Sequence, residues 1–240
     1  MKKLLFSALM GAMMISCNRD NDDSNPTPQT PTIDDTSILP TKMTYSETGK
    51  ADEVITFSYD ENKLVKLTHN NKDVIFTYTG DLITSKYGKG WSRTFTYDSN
   101  GNLISEKLMR GKNSVDDITY TINGSTVTAQ RISKGYNKSD GALSYTITSN
   151  ITYTLDEKKR PIKKVEVYES KDLVRNITDK GTDTYTFQYP NHHGFSENIK
   201  GMDKLSYSSF AIGFERVFDL YNPYSYMIYL PFSYIKEDIN

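Results

Sequence analysis

From Met43 onward the sequence repeats one short pattern that constrains the fold more than any other feature. An alternating Thr, Tyr and Phe segment is followed by a polar Asp, Asn and Gly stretch, and a second segment then begins with Leu or Ile. Alternation places successive side chains on opposite faces of a strand, and Asn and Gly accept the positive φ angles of tight turns. Each unit therefore predicts a β-hairpin.

Six copies of the pattern are recognisable in the sequence. They cover residues 55–64, 74–83, 94–103, 118–127, 151–162 and 184–195. Because one hairpin is marginal alone, successive hairpins are expected to pair side by side and to curl through their twist. The predicted fold class is all-β, an antiparallel meander of successive hairpins that forms a curved, partly closed sheet or barrel. The strands alternate apolar residues with Thr, Ser and Lys, which favours a packed interior over a lipid-facing barrel.

The C-terminal stretch departs from the repeat. Its apolar residues in 208–220 fit either a short helix or a buried strand. We expect one short helix there, plugging an end of the curved sheet, and strands in 224–230 and 232–235 that complete the sheet.

The N-terminus has the order of an export signal. Lys2 and Lys3 precede an apolar run to Ile15, which is too short to span a bilayer, and Ser16 stands directly before the single cysteine, Cys17. Residues 14–17 resemble a bacterial lipobox, with Met in place of the usual Leu. The acidic residues in 18–23 resemble the export tag of Bacteroidota surface lipoproteins. We therefore expect Cys17 to be lipidated and the protein to face the cell surface from the outer membrane.

Three segments follow from this organisation. Residues 1–16 are predicted to be a signal peptide, and residues 17–40 a lipidated cysteine with a disordered acidic and Pro-rich tether, because such composition buries no core. Residues 41–240 are predicted to be a single β-meander domain, a length that all-β folds fill as one unit.

The clearest turn motif, Tyr-Asp-x-x-Gly-x-Leu at 97–103, resembles the tyrosine-aspartate repeats of wall-associated and toxin-shell proteins. Together with the signal, Cys17 and the tether, the chain from Met43 to Asn240 is more similar to a family of Bacteroidota lipoproteins with a porin-like, curved β-meander fold. This resemblance implies an envelope protein with that fold, and it supplies no activity.

Catalytic and metal-binding signatures are sparse. The adjacent His192 and His193 lack a ligand spacing such as H-E-x-x-H, and neighbours on a strand point to opposite faces, so no metal site and no cofactor are predicted. Asp98 and Asp156, like the other Asp residues of the predicted turns, are expected to bond local backbone amides. A hydrolase with two suitably spaced carboxylates stays open, because spacing in space cannot be read from one sequence.

Exposed aromatic residues are the candidates for ligand binding. Trp91 and the cluster Tyr221, Tyr224, Tyr226 and Tyr229 could stack on sugar rings, although cross-strand pairing is the simpler explanation.

The overall charge bears on the partners. With 29 Lys and Arg against 30 Asp and Glu, the chain lacks the basic surplus of nucleic-acid binders. We predict a non-enzymatic binding or structural module at the outer membrane, held there by the lipid anchor, with a glycan or an envelope protein as partner. The alternatives are a carbohydrate-active hydrolase with unidentified carboxylates and a periplasm-facing assembly factor.

Overall fold

The computed structural model describes residues 39–46, 49, 51–189, 198–208 and 233–238. These residues belong to one compact unit, Thr36–Asn240, and form a single antiparallel sheet of thirteen strands whose order in space is their order along the chain. The strands are β1 Lys42–Tyr45, β2 Glu53–Asp60, β3 Lys63–His69, β4 Lys72–Thr79, β5 Leu82–Gly88, β6 Trp91–Tyr97, β7 Leu103–Arg110, β8 Ser114–Asn123, β9 Thr126–Tyr136, β10 Leu143–Leu155, β11 Pro161–Asp172, β12 Ile177–Gln188 and β13 Ser233–Asp238. The predicted all-β meander is confirmed.

Five of the six predicted hairpins coincide with strand pairs, from β2–β3 to β10–β11. The sixth, over 184–195, differs, because the strand that pairs with β12 is β13, with Gln188 opposite Ser233. The strand expected at 232–235 is thus present and extends to Asp238. The helix expected in 208–220 and the strand expected in 224–230 lie outside the described residues, apart from Ser208.

The Asp-rich turns are held as the sequence predicts. The Asp98 carboxylate accepts hydrogen bonds from the backbone N–H groups of Asn100 and Asn102, both at 2.9 Å, and from the Asn102 side chain at 3.0 Å. The side-chain hydrogen bond from Asn102, followed by the backbone ones, holds the pKa of Asp98 below its ordinary value. Asp156 accepts from the backbone N–H of Arg160 at 2.8 Å in the same way.

At the end of the sheet that holds the β2–β3 turn, the register shifts by one residue just after the turn in four hairpins. In β2–β3, Ser58 pairs with Lys66 but Tyr59 pairs with Leu64, so that Val65 is skipped. The same shift occurs in β4–β5, β6–β7 and β10–β11. Such β-bulges bend a strand and increase its twist. Because all four lie at the same end of the sheet, they curl that end.

Residues 198–208, the crossing segment, span this end and show how far the sheet curls. The Lys200 N–H donates to the Asn62 carbonyl at 3.0 Å, and the Ser206 hydroxyl donates to the Lys159 carbonyl at 2.9 Å. These two turns are eight strands apart and would be separated by about 38 Å in a flat sheet. Six residues reach at most about 21 Å. The sheet must therefore bring its turns together around the crossing segment.

The core lies between the inner, concave face of the sheet and the crossing segment. A 3-10 helix, Asp203–Leu205, buries Leu205 completely. The Tyr207 hydroxyl donates to the Leu103 carbonyl at 3.2 Å, and its ring meets the Tyr120 ring edge-on at 5.5 Å. The core residues supplied by the sheet are Ile55, Phe57, Leu64, Leu67, Phe76, Ile83, Phe95, Leu103, Ile118, Tyr120, Val127, Ala129, Ile151, Tyr153, Leu155 and Phe187.

The two edges of the sheet do not pair with each other. Among the described residues, β1 pairs only with β2 and β13 pairs only with β12. The meander is thus curved but not closed by a ladder between its first and last strands.

Gly201 allows the crossing segment to approach the sheet closely. Its φ is +78°, and a Cβ atom there would lie 2.6 Å from the Asp81 carbonyl oxygen and 3.2 Å from the Ile83 nitrogen. We predict that Gly201→Ala lowers the free energy of unfolding by about 2–4 kcal/mol, through backbone strain and overpacking.

The matched control for this prediction is Gly124→Ala. Gly124 has φ +61°, but a Cβ atom there meets nothing within 4 Å. In this variant only backbone strain is added, and the free energy of unfolding should fall by about 1 kcal/mol. Urea unfolding of both variants measures the difference, and equal losses would contradict the close approach.

Candidate functional site

A groove of about 650 Å³ crosses strands β9 to β12. This volume is in the range of about 300–1,000 Å³ that small-molecule sites occupy. The groove is lined by Gln130, Arg131, Ile132, Thr148, Ser149, Asn150, Val167, Tyr168, Glu169, Lys180, Gly181 and Thr182.

The side chains that line the groove project from the outer face of the sheet. Arg131, Ser149, Tyr168 and Gly181 lie in register with one another at positions that face inward. The eight other residues alternate with them along the strands and therefore point outward. They form two rows across the four strands, Gln130, Asn150, Val167 and Thr182 in one and Ile132, Thr148, Glu169 and Lys180 in the other.

Most of the lining is uncharged. Gln130 and Asn150 are cross-strand partners and present two carboxamide groups side by side, each with donors and acceptors. Val167 and Ile132 are half exposed, at 51% and 46%. The groove thus combines neutral hydrogen-bonding groups with small apolar surfaces.

The one carboxylate among the lining residues is Glu169. Its two oxygens lie 2.6 Å from the Lys171 ammonium and 2.7 Å from the Lys180 ammonium. These hydrogen bonds, first that from Lys171 and then that from Lys180, lower the pKa of Glu169 to about 2. The carboxylate therefore stays ionised at neutral pH and is neutralised by two lysines.

A buried ionic cluster lies directly behind the groove, on the inner face. Glu166 is 2.7 Å from the Arg131 guanidinium and 2.8 Å from the Lys164 ammonium, and Arg131 also donates to the Ser149 hydroxyl at 3.1 Å. Burial acts to raise the pKa of Glu166, but the charges of Lys164 and Arg131 outweigh it and lower the pKa. This cluster ties β9, β10 and β11 together beneath the groove.

A second buried cluster occupies β5 to β8. The Arg93 guanidinium donates to Glu106 at 3.2 Å, and the Tyr120 hydroxyl donates to the other Glu106 oxygen at 2.7 Å. Lys86 is only 1% exposed, and its ammonium lies 5.3 Å from the centre of the Trp91 ring. Burial, together with the neighbouring Arg93 charge, lowers the pKa of Lys86 well below its ordinary value, while Glu106 opposes this.

The residues that the sequence suggested for ligand binding are not brought to the groove. Trp91 begins β6, three strands from β9, and faces inward, where its indole nitrogen lies close to the backbone of Gly88. Tyr221, Tyr224, Tyr226 and Tyr229 lie outside the described residues, as does Cys17. Ligand binding by Trp91 stays a prediction.

Neither the groove nor the two ionic clusters was predicted from the sequence. The sequence held a signal for the cluster behind the groove. Arg131 follows Val127 and Ala129 in the inward-facing alternation of β9, and Glu166 takes an inward position of β11. A charge in the inward register indicates a buried ion pair. The groove had no such signal, since it joins outward residues of four strands.

Metal-ligand clusters and membrane-spanning helices are both absent from the described part of the chain. No group of three or more His, Cys, Asp and Glu residues there could hold a metal ion, and no helix there is long and apolar enough to cross a membrane. His69 is buried, with its Nε2 3.2 Å from a Glu53 oxygen. His192 and His193 lie outside the described residues.

Comparison with known proteins gives distant structural likenesses and no match in sequence. No protein-family model and no curated protein matches the chain. Among solved structures, it is similar to a porin-like protein from Bacteroides vulgatus, with 16% sequence identity and a TM-score of 0.41. The alignment covers 62% of this chain and 60% of that one.

The buried cluster behind the groove predicts a pH-dependent contribution to stability. Glu166→Gln should lower the free energy of unfolding at pH 7 by about 2 kcal/mol, because Arg131 and Lys164 lose their buried counter-charge. The folded-state pKa of Glu166 lies below its ordinary value of 4.5, so this stabilisation is complete above that pH and is lost as the pH falls further.

Urea unfolding between pH 3 and pH 7 tests this prediction. The matched control is Glu169→Gln, three positions along the same strand, where the carboxylate is partly exposed and solvent screens its ion pairs. The variant at Glu166 should be the less stable one at pH 7, and the gap from the wild type should narrow below about pH 4.5. Similar small losses in both variants would contradict a stabilising buried cluster.

Proposed function

We propose that this protein is a lipid-anchored envelope protein whose β-meander domain binds a neutral glycan in the groove across β9 to β12. The proposed location in the cell envelope rests on the sequence. Its features are the signal-like residues 1–16, the single Cys17 and the acidic, Pro-rich stretch that follows it. The outer membrane, with the domain displayed at the cell surface, is the location that fits these features.

The composition of the groove lining is the observation that supports a neutral glycan as the ligand. Sugar rings offer hydroxyl groups that both donate and accept, and they also have C–H faces that are apolar. The paired amides of Gln130 and Asn150 and the hydroxyls of Thr148 and Thr182 match the hydroxyls, and the exposed Val167 matches the C–H face. Neutral, mixed lining of this kind favours an uncharged glycan.

Binding is favoured over hydrolysis by the state of Glu169. A glycosidase uses two carboxyl groups, one of which must stay protonated to act as the general acid. Among the residues that line the groove, Glu169 is the one carboxylate, and Lys171 and Lys180 lower its pKa to about 2. The groove therefore supports recognition of a glycan and not its cleavage.

The unpaired edges of the sheet favour a second candidate function, recruitment of a protein strand. Within the described residues β1 and β13 each pair on one side only, and such edges can accept an added strand. We rank this below glycan binding, because edge pairing does not explain the groove.

Affinity electrophoresis in gels that contain neutral polysaccharides, preceded by a glycan-array screen, tests the proposal. The double variant Gln130→Ala, Asn150→Ala should weaken binding by about tenfold or more, since each lost hydrogen bond contributes about 1 kcal/mol and the partner groups are left unpaired. The matched control is Thr128→Ala, Thr152→Ala, a cross-strand pair on the same two strands that does not line the groove.

A third variant, Trp91→Ala, separates the groove from the aromatic site that the sequence suggested. Retained binding in this variant and in the threonine control, with loss in the amide variant, supports the groove. Loss of glycan binding in Trp91→Ala alone would assign the binding site to the inner face of the sheet and would overturn the groove as the site. Absence of binding to every glycan by the wild-type protein would overturn the ligand class.

A further inference from the structure

Two neighbouring hairpin ends expose a cluster of aliphatic side chains. Leu173, Val174 and Ile177 surround the β11–β12 turn and are 48%, 68% and 54% exposed, and Leu143 at the start of β10 is 39% exposed. We refer to these four residues as the apolar tip. Isolated exposed aliphatic residues are ordinary on a protein surface, but a cluster of them marks an interaction site.

The apolar tip is held in a defined conformation. The Asp172 carboxylate accepts hydrogen bonds from the N–H groups of Val174 and Arg175 at 3.0 and 2.9 Å. The Leu173 N–H donates to the Ser144 carbonyl at 2.8 Å, which ties the two hairpin ends together. The aliphatic side chains are therefore presented by a fixed turn, and no rearrangement is needed to expose them.

The apolar tip lies at the end of the sheet opposite to the crossing segment. Successive turns of a meander alternate between its two ends, so the β9–β10 and β11–β12 turns share one end while the β2–β3 and β10–β11 turns share the other. The chain enters β1 at the latter end, where the Tyr59 hydroxyl donates to the Pro40 carbonyl at 2.9 Å. The tip thus projects away from the point where the N-terminal residues join the sheet.

We propose that the apolar tip inserts into the interfacial region of a phospholipid bilayer. The surface is convex and aliphatic, a shape that acyl chains accommodate without a preformed partner pocket. The cation Arg175, 77% exposed, lies in the same turn, and its long apolar stem lets the charge reach a phosphate while the aliphatic residues go deeper. The apolar tip therefore matches a bilayer surface, in which apolar acyl chains lie beneath a layer of anionic phosphate groups.

The N-terminal chain length is compatible with contact to the membrane that would hold Cys17. Residues 18–38 number 21 and can span up to about 70 Å, whereas the longest strand, β10, has 13 residues and is about 43 Å long. A chain of this length lets the far end of the sheet reach the same surface. Weak insertion then gains strength from the high effective concentration of a tethered contact.

Co-sedimentation with vesicles of phosphatidylethanolamine and phosphatidylglycerol tests the insertion without the anchor. The chain from Asn18 to Asn240 is used, because it keeps the whole compact unit Thr36–Asn240 but not the signal-like apolar run or Cys17. The triple variant Leu173→Ser, Val174→Ser, Ile177→Ser should reduce vesicle partitioning by about tenfold or more, given the apolar area withdrawn from the bilayer.

The matched control is Ile104→Ser, Ile122→Ser, Ile162→Ser. These isoleucines are also exposed, at 38%, 37% and 38%, but they follow or precede turns at the opposite end of the sheet. Partitioning that persists in the control and is lost in the tip variant supports the proposal. Wild-type protein that stays in the supernatant, or equal losses in both triple variants, would overturn it.

A second measurement distinguishes the bilayer from a second copy of the chain. In a Trp91→Phe background, which removes the single native tryptophan, the indole emission of a Val174→Trp variant should shift to shorter wavelength when vesicles are added. A shift that appears without vesicles and rises with protein concentration would assign the apolar tip to self-association and overturn membrane insertion. This test does not depend on the glycan proposed for the groove.

Discussion

The curl of a single-layer sheet around one short segment is the constraint on which the rest of this structure depends. A flat meander would leave both faces in water, and no second sheet among the described residues covers it. The four bulges bend one end, so that residues 198–208 can reach from the β2–β3 turn to the β10–β11 turn. The core therefore forms between a sheet and its own downstream chain, and Gly201 lets the two backbones meet.

The same curl explains why the inner face can carry charges. Glu106 and Glu166 are each buried, yet each is matched by an arginine at hydrogen-bonding distance. Buried pairs of this kind add little net stability, but they penalise any register that separates the partners. The Glu166 cluster thus fixes the strands whose outer faces form the groove. In this account the inner face supplies rigidity and the outer face supplies recognition.

Much of the fold could be predicted from the sequence, because alternation and turn residues are local signals. The hairpins at 55–64 and 94–103 and the role of Asp98 follow from them directly. The partner of β12 could not be predicted, since β13 lies more than forty residues downstream and pairing at that distance has no local signal. The groove could not be predicted for a similar reason. Gln130 and Lys180 are fifty positions apart in the sequence and share a surface only when four strands are in register.

The distance between the β2–β3 and β10–β11 turns tests the central claim most directly. Spin labels on Asp60→Cys and Lys158→Cys, both exposed positions, in a Cys17→Ser background would report it by pulsed electron paramagnetic resonance. The curled sheet predicts a distance of about 25 Å or less, because the crossing segment bridges the two turns. A distance of about 40 Å, the value for a flat sheet with that many strands between the labels, would contradict the account.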